Sequence, residues 1–98
     1  MSFFGHTESV SCGGFTSDGK YLVTGSDDMT VKVWDLKNNS LHNTIRGHKF
    51  HTTPITALAI ATKKNIIATG SVTNELAITN VDNGNVKIFI FIYIFKRF

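Results

Sequence analysis

Short β-rich apolar runs alternate along this chain with polar turn clusters, and helix signals are absent. Residues 9–15 form the first run. Asp18-Gly19 then marks a turn, because Gly reaches positive φ at little cost and the Asp carboxylate bonds nearby backbone. Residues 21–24 follow, then a tight turn around Asp27-Asp28-Met29 and a third run at 30–34, rich in β-branched and aromatic residues. Lys37-Asn38-Asn39-Ser40 is a polar turn, and a fourth run occupies 41–45. Four strands at this spacing predict an antiparallel meander. They do not alternate cleanly between apolar and polar, which predicts a sheet covered on both faces.

The pattern then returns. His6 and His51, and Thr24 and Thr69, are each 45 residues apart. The same offset carries Val10 onto Ile55, Thr24-Gly25-Ser26 onto Thr69-Gly70-Ser71, and residues 31–35 onto 76–80. A fixed period of this length marks a repeat architecture, whose units stack and present a surface.

Gly5-His6, Asp18-Gly19, Thr24-Gly25-Ser26, Asp28 and Val31-Lys32-Val33-Trp34-Asp35 together resemble the WD-repeat family of β-propellers. The resemblance implies an all-β chain of two four-stranded antiparallel blades. That is an incomplete propeller fragment, since closure takes at least about four blades. Residues 1–46 form the first blade, 47–87 a degenerate second blade, and 88–98 an apolar tail outside the repeat pattern. The resemblance also implies a structural tetrad of His6, Thr24, Asp28 and Trp34, whose imidazole, hydroxyl, carboxylate and indole relay buried hydrogen bonds. The same His, Asp and Thr would also spell a catalytic site. The structural reading is preferred, because imidazole and carboxylate then serve a buried network.

In the second unit, His51 holds the loop-His position by spacing, four residues before Ile55 as His6 is before Val10, and Thr69 keeps the hydroxyl. Thr73 replaces the Asp and Thr79 the Trp, so the tetrad is expected to be broken. This unit is expected to rest on apolar packing of Ile55, Leu58, Ile60, Ile66, Ile67, Leu76 and Ile78. Asp82-Asn83-Gly84 supplies a hairpin turn, after which residues 86–91 can pair as a fourth strand.

A narrower resemblance rests on Cys12-Gly13, Asp18-Gly19-Lys20, Trp34-Asp35-Leu36-Lys37, the segment from Gly47-His48 to Pro54-Ile55-Thr56, and Thr69-Gly70-Ser71-Val72. These look like two adjacent interior blades of the angio-associated migratory cell protein family. Its fungal members are dedicated chaperones of a large-subunit ribosomal protein, and its animal members are linked to cell migration and receptor signalling. Both imply a protein-binding scaffold and no enzyme, with a basic ribosomal protein as one partner and the missing propeller blades as another. The alternatives are a truncated product without independent function and a signalling or ubiquitin-ligase adaptor. Asp27, just before the structural Asp, and Val72, at the matching place in the second unit, are the candidate partner contacts.

Composition adds limits. One cysteine, Cys12, excludes an intramolecular disulfide and fits a reducing compartment, cytoplasmic or nuclear as well. In a strand it reads as a buried thiol. Residues 1–4 are too short for a signal peptide. The net charge is +3, but residues 1–35 hold five acids and two bases while residues 36–98 hold two acids and eight bases. The bases Lys37, Arg46, Lys49, Lys63, Lys64 and Lys87 fall in turns or loops without interleaved aromatics, which suits a solvated rim better than a nucleic-acid patch. His48 and His51, with His42 nearby, have a spacing metals can use, yet zinc asks for about four ligands and loop histidines explain them as well. No phosphate loop or nucleophile elbow is present, and no cofactor is expected. Residues 88–95 are an unbroken apolar run, too short to span a bilayer as a helix. The run reads as translated non-coding sequence or a frameshift, with a membrane-surface anchor, given its basic end, as the lesser alternative.

Overall fold

The computed structural model describes residues 5–47, 50–61 and 64–91. His48, Lys49, Lys63 and the tail from residue 92 onward, on which several sequence expectations fall, lie outside them.

Among the described residues, eight strands form two four-stranded antiparallel meanders. The first blade contains β1 (Val10–Phe15), β2 (Tyr21–Ser26), β3 (Val31–Asp35) and β4 (Ser40–Ile45). The second contains β5 (Ile55–Ile60), β6 (Ile66–Ser71), β7 (Glu75–Asn80) and β8 (Val86–Phe91). The repeat extends to irregularities: bulges at Val10/Cys12 and Val33/Trp34 recur at Ile55/Ala57 and Ile78/Thr79. Left-handed turn residues recur too, with Met29 (φ 72°) matching Asn74 (φ 63°), and Asn39 (φ 53°) matching Gly84 (φ 74°).

Pleating gives each blade two faces. Leu22, Thr24, Lys32 and Trp34 share the front of the first blade, and Tyr21, Val23, Val31 and Val33 its back. In the second blade Ile67, Thr69, Ala77 and Thr79 lie on the front, and Ile66, Ala68, Leu76 and Ile78 on the back. The core is the back of the first blade against the front of the second. Tyr21, Val23, Val31, Val33 and Ile45 meet Phe50, Ile55, Ile67, Ala77 and Val81, with Leu58, Ile60 and Phe89 packed at its margin. Gly25 permits this approach, since a Cβ there would sit 2.9 Å from Ile55 Cγ2. Polar contacts close the same seam. Asn65 Nδ2 donates to Asp18 Oδ2 at 3.0 Å, His42 Nε2 donates to the Asp82 carbonyl at 2.8 Å, and the Ser11 hydroxyl donates to the Ile55 carbonyl.

Two expectations are corrected. Ile66, Leu76 and Ile78 do not join the core; they stay half-buried on the outward back face, which nothing among the described residues covers. The second sheet also reaches past residue 87, because Leu76 pairs with Ile90, Ala77 with Phe89 and Ile78 with Ile88. Residues 88–91 therefore belong to the repeat: their β-branched and aromatic side chains suit a pleated strand.

Candidate functional site

The residues that carry potential chemistry gather at one end of each sheet, where the loop before the first strand meets the turn between the second and third strands. In the first blade β2 supplies Thr24, β3 supplies Trp34, the β2–β3 turn supplies Asp28 and the preceding loop His6. Trp34 Nε1 donates to Thr24 Oγ1 at 2.9 Å, and Thr24 Oγ1 lies 2.7 Å from His6 Nε2. His6 Nδ1 lies 2.9 Å from Asp28 Oδ2. An ionised carboxylate only accepts, so the proton sits on Nδ1 and the Thr24 hydroxyl donates to Nε2. Burial pushes the Asp28 pKa up, but hydrogen bonds from Thr30, His6 and the Thr7 amide outweigh it and hold it at about 2. The chain of donors thus runs from indole to carboxylate and pins the 5–7 loop to the sheet.

Thr24, His6 and Asp28 stand in the order of a nucleophile, a base and its orienting acid. The Thr24 oxygen, however, is buried and already receives the indole N–H. That contact withdraws electron density from the would-be nucleophile.

The second blade retains more of this network than residue counting suggests. His51 Nε2 lies 2.7 Å from Thr69 Oγ1, as in the first blade. Thr73, in register with Asp28, bonds Thr53 through its hydroxyl at 3.0 Å. The carboxylate comes instead from Glu75, in register with Thr30, whose Oε1 lies 3.3 Å from His51 Nδ1. Glu75 also accepts from the Thr52 amide at 3.0 Å, the Thr52 hydroxyl at 2.6 Å and the Ser71 hydroxyl at 2.9 Å. Burial opposes its charge, but the bonds from Thr52, Ser71 and His51 prevail and hold its pKa at about 2. Burial pushes the His51 pKa below 6.5, with Glu75 working against it. Three members of the network therefore survive.

The fourth does not. Thr79 stands where Trp34 stood, and its buried Oγ1 has no hydrogen-bond partner among the described residues. By register, a large residue stands on the other side of this site instead. Gly5 abuts the indole, since a Cβ there would sit 3.1 Å from Trp34 Cη2. The matching residue is Phe50, fully buried with its ring 4.7 Å from His51. The pair Gly5–Trp34 has become Phe50–Thr79, the large member changing sides. Glu75 was legible as the lone acid on the inward face of an apolar strand; Phe50 was legible only once that exchange was considered.

A cleft of about 540 Å³ opens beside both networks, lined by Thr7, Asp28, Met29, Arg46, His51 and Thr52 among others. Asp27 and Val72 are exposed on the turns of this rim. No three His, Cys, Asp or Glu side chains gather to hold a metal among the described residues, and no helix there is long and apolar enough to cross a membrane.

The family model of the WD domain, G-beta repeat matches residues 1–35 and 39–89. The chain belongs to the WD-repeat family. The human angio-associated migratory cell protein is 33% identical over 85 residues, covering 87% of this chain and 20% of that protein. The target of rapamycin complex subunit wat1 of Schizosaccharomyces pombe is 42% identical over 60 residues, covering 61% of this chain and 18% of that protein. The solved structure of U3-55K superposes with a TM-score of 0.80 at 24% identity, covering 89% of this chain and 26% of that one, and shows a shared fold. This chain thus spans about a fifth of the length of these two relatives. WD-repeat propellers are generally non-catalytic scaffolds for protein interaction, and the two sheets here are two such blades, not a closed ring.

Proposed function

We propose that this WD-repeat chain is a docking element of a scaffold that accompanies a basic large-subunit ribosomal protein during assembly. One observation carries the reading. The chemically capable side chains are tied into two buried networks, while Met29 lines an open cleft beside them and Asp27 and Val72 are exposed on the turns those networks fix. Rigid turns beside a concavity suit protein docking. Glu8 and Asp27 sit at this end and favour a basic partner by raising its on-rate. Asp18, at the opposite end of β2, holds its own hairpin instead, accepting from Thr16 and Lys20. The partner class is the one implied by the sequence resemblance to fungal members of the angio-associated migratory cell protein family. The single cysteine suits a cytoplasmic site of action, or a nuclear one as well. Affinity capture from cells should recover a large-subunit ribosomal protein in a complex that weakens with salt, and Asp27→Lys should reduce that recovery. Salt-insensitive recovery, or none, overturns it.

The second reading is a subunit of a signalling complex, favoured by the identity to the target of rapamycin complex subunit. Recovery of target of rapamycin complex subunits in the same capture would select it.

A further inference from the structure

We propose that Asn83 is a site of spontaneous deamidation, and that the product loosens the seam between the two blades. The repeat supplies a control within the same chain, because the β3–β4 turn carries Asn38 where the β7–β8 turn carries Asn83.

The two turns are built alike. Asp35 Oδ1 accepts from the Lys37 and Asn38 amides at 3.0 and 3.2 Å. Asn80 Oδ1 accepts from the Asp82 and Asn83 amides at 2.9 and 3.3 Å. The residue after each asparagine is left-handed, Asn39 at φ 53° and Gly84 at φ 74°. Two differences separate them. Asn83 is the only asparagine in the chain followed by glycine, so no Cβ shields the Gly84 nitrogen from the side chain before it. The side-chain amides are also held differently. Asn38 Nδ2 donates to the Asp35 carboxylate at 3.0 Å, which feeds electron density into that amide. Asn83 Oδ1 instead accepts from the Asn85 amide at 2.8 Å. That donor draws density out of the carbonyl and stands where negative charge develops during attack on Cγ.

The step consumes only water, which reaches Asn83 because the residue is exposed. The Gly84 nitrogen bonds to Asn83 Cγ, the Cγ–Nδ2 bond breaks, and Nδ2 leaves as ammonia with the proton the Gly84 nitrogen gave up. Water then opens the cyclic imide at either carbonyl. Opening at Cγ gives aspartate. Opening at the main-chain carbonyl gives isoaspartate, whose backbone runs through Cβ and Cγ and is one atom longer. Gly84 N donates to the Asn80 carbonyl at 2.8 Å, so that bond has to open first and sets the pace.

This hairpin is part of the seam. Gly84 abuts the first blade, since a Cβ there would overlap Asn43 Nδ2. The neighbouring Asp82 accepts from His42 through its carbonyl and from Asn65 Nδ2 through its carboxylate, and Asn65 Nδ2 also donates to Asp18. An added chain atom between residues 83 and 84 presses on Asn43. A new carboxylate at 83 repels that of Asp82.

The test incubates the folded 98-residue chain at neutral and at mildly alkaline pH in heavy-oxygen water and measures label in its peptides by mass spectrometry. Label should accumulate in the peptide holding Asn83, as isoaspartate and aspartate, faster at the higher pH, while the peptide holding Asn38 stays unlabelled. Equal labelling of Asn38 overturns the proposal, as does an Asn83 that is labelled only when urea unfolds the chain. The isoaspartyl fraction, separated by ion exchange, should show a lower urea midpoint than the unmodified chain at the same protein concentration. An unchanged midpoint overturns the effect on the seam.

Discussion

Glu75 reaches His51 from a different position on the blade than Asp28 uses to reach His6, yet both carboxylates meet the Nδ1 of their histidine. Asp28 lies in the turn, whereas Glu75 opens the next strand in register with Thr30. Its longer side chain bridges the difference and collects the loop amide of Thr52 just as Asp28 collects that of Thr7. The second blade keeps the function of the turn carboxylate after losing the turn carboxylate itself.

Glu75→Ala should therefore destabilise the chain as strongly as Asp28→Ala, by about 1–3 kcal/mol, because each strands buried donors. The double exchange Thr73→Asp with Glu75→Thr, which copies the first blade, should recover a large part of that loss. Urea midpoints compared at one fixed protein concentration read both effects. A Glu75→Ala midpoint equal to wild type would show that the carboxylate is dispensable.

Acid should unfold the chain in two overlapping stages. The folded pKa of His51 lies below 6.5, so the unfolded chain takes up its proton first as the pH falls, and stability declines from about pH 6.5 downward. Glu75 and Asp28 are held near about 2 against ordinary values of 4.5 and 3.8. Their contribution is complete above those ordinary values and is lost as the pH falls toward about 2. Asp18 and Asp35, lowered by hydrogen bonds within their hairpin turns, act in the same direction. Glu75→Gln should flatten the lower stage in part and leave the Asp residues' share. Unfolding midpoints followed from neutral pH downward provide the check, and an unchanged lower stage in Glu75→Gln contradicts the assignment.

The strand order and turns could be read from the chain because they depend on local chemistry: Asp18-Gly19, the β-branched run ending at Trp34, and the 45-residue echo between Thr24 and Thr69. The second network could not be read by offset alone. Counting from Asp28 lands on Thr73, and a fixed register ignores how far a side chain extends. The faces were hidden for a related reason. Ile67 and Ile78 are equally apolar, and only the direction of stacking decides that Ile67 is buried and Ile78 looks outward.

The exchange of Gly5–Trp34 for Phe50–Thr79 predicts coupling. Phe50→Ala should cost about 3–5 kcal/mol, as for other buried aromatics. Thr79→Trp alone should also destabilise by overpacking. Combined as Phe50→Gly with Thr79→Trp, the two changes should be less harmful than their sum by about 0.5–3 kcal/mol, the range seen for residues in contact. A double-mutant cycle on urea midpoints measures this, and strict additivity would place the two residues in separate volumes. Thr79→Val should separately stabilise by about 1 kcal/mol, because it removes a buried hydroxyl that lacks a partner among the described residues.

Met29 offers the last test. It takes φ 72° in the turn where the second blade has Asn74 at φ 63°. A left-handed conformation crowds the Cβ of an ordinary side chain against its own carbonyl and costs about 1–2 kcal/mol, whereas Asn tolerates it through local hydrogen bonding. The same backbone bond closes the turn in both blades, with Met29 N donating to the Ser26 carbonyl at 3.2 Å and Asn74 N to that of Ser71 at 3.3 Å. Met29 is exposed, so little packing is lost on replacing it. Met29→Asn should stabilise by about 0.5–1 kcal/mol, and Asn74→Met should destabilise by a similar amount. Opposite shifts of the unfolding midpoint in the two variants would establish that backbone strain sets the difference. A fall in both would mean instead that the Met29 side chain contributes more through its contacts than its conformation costs.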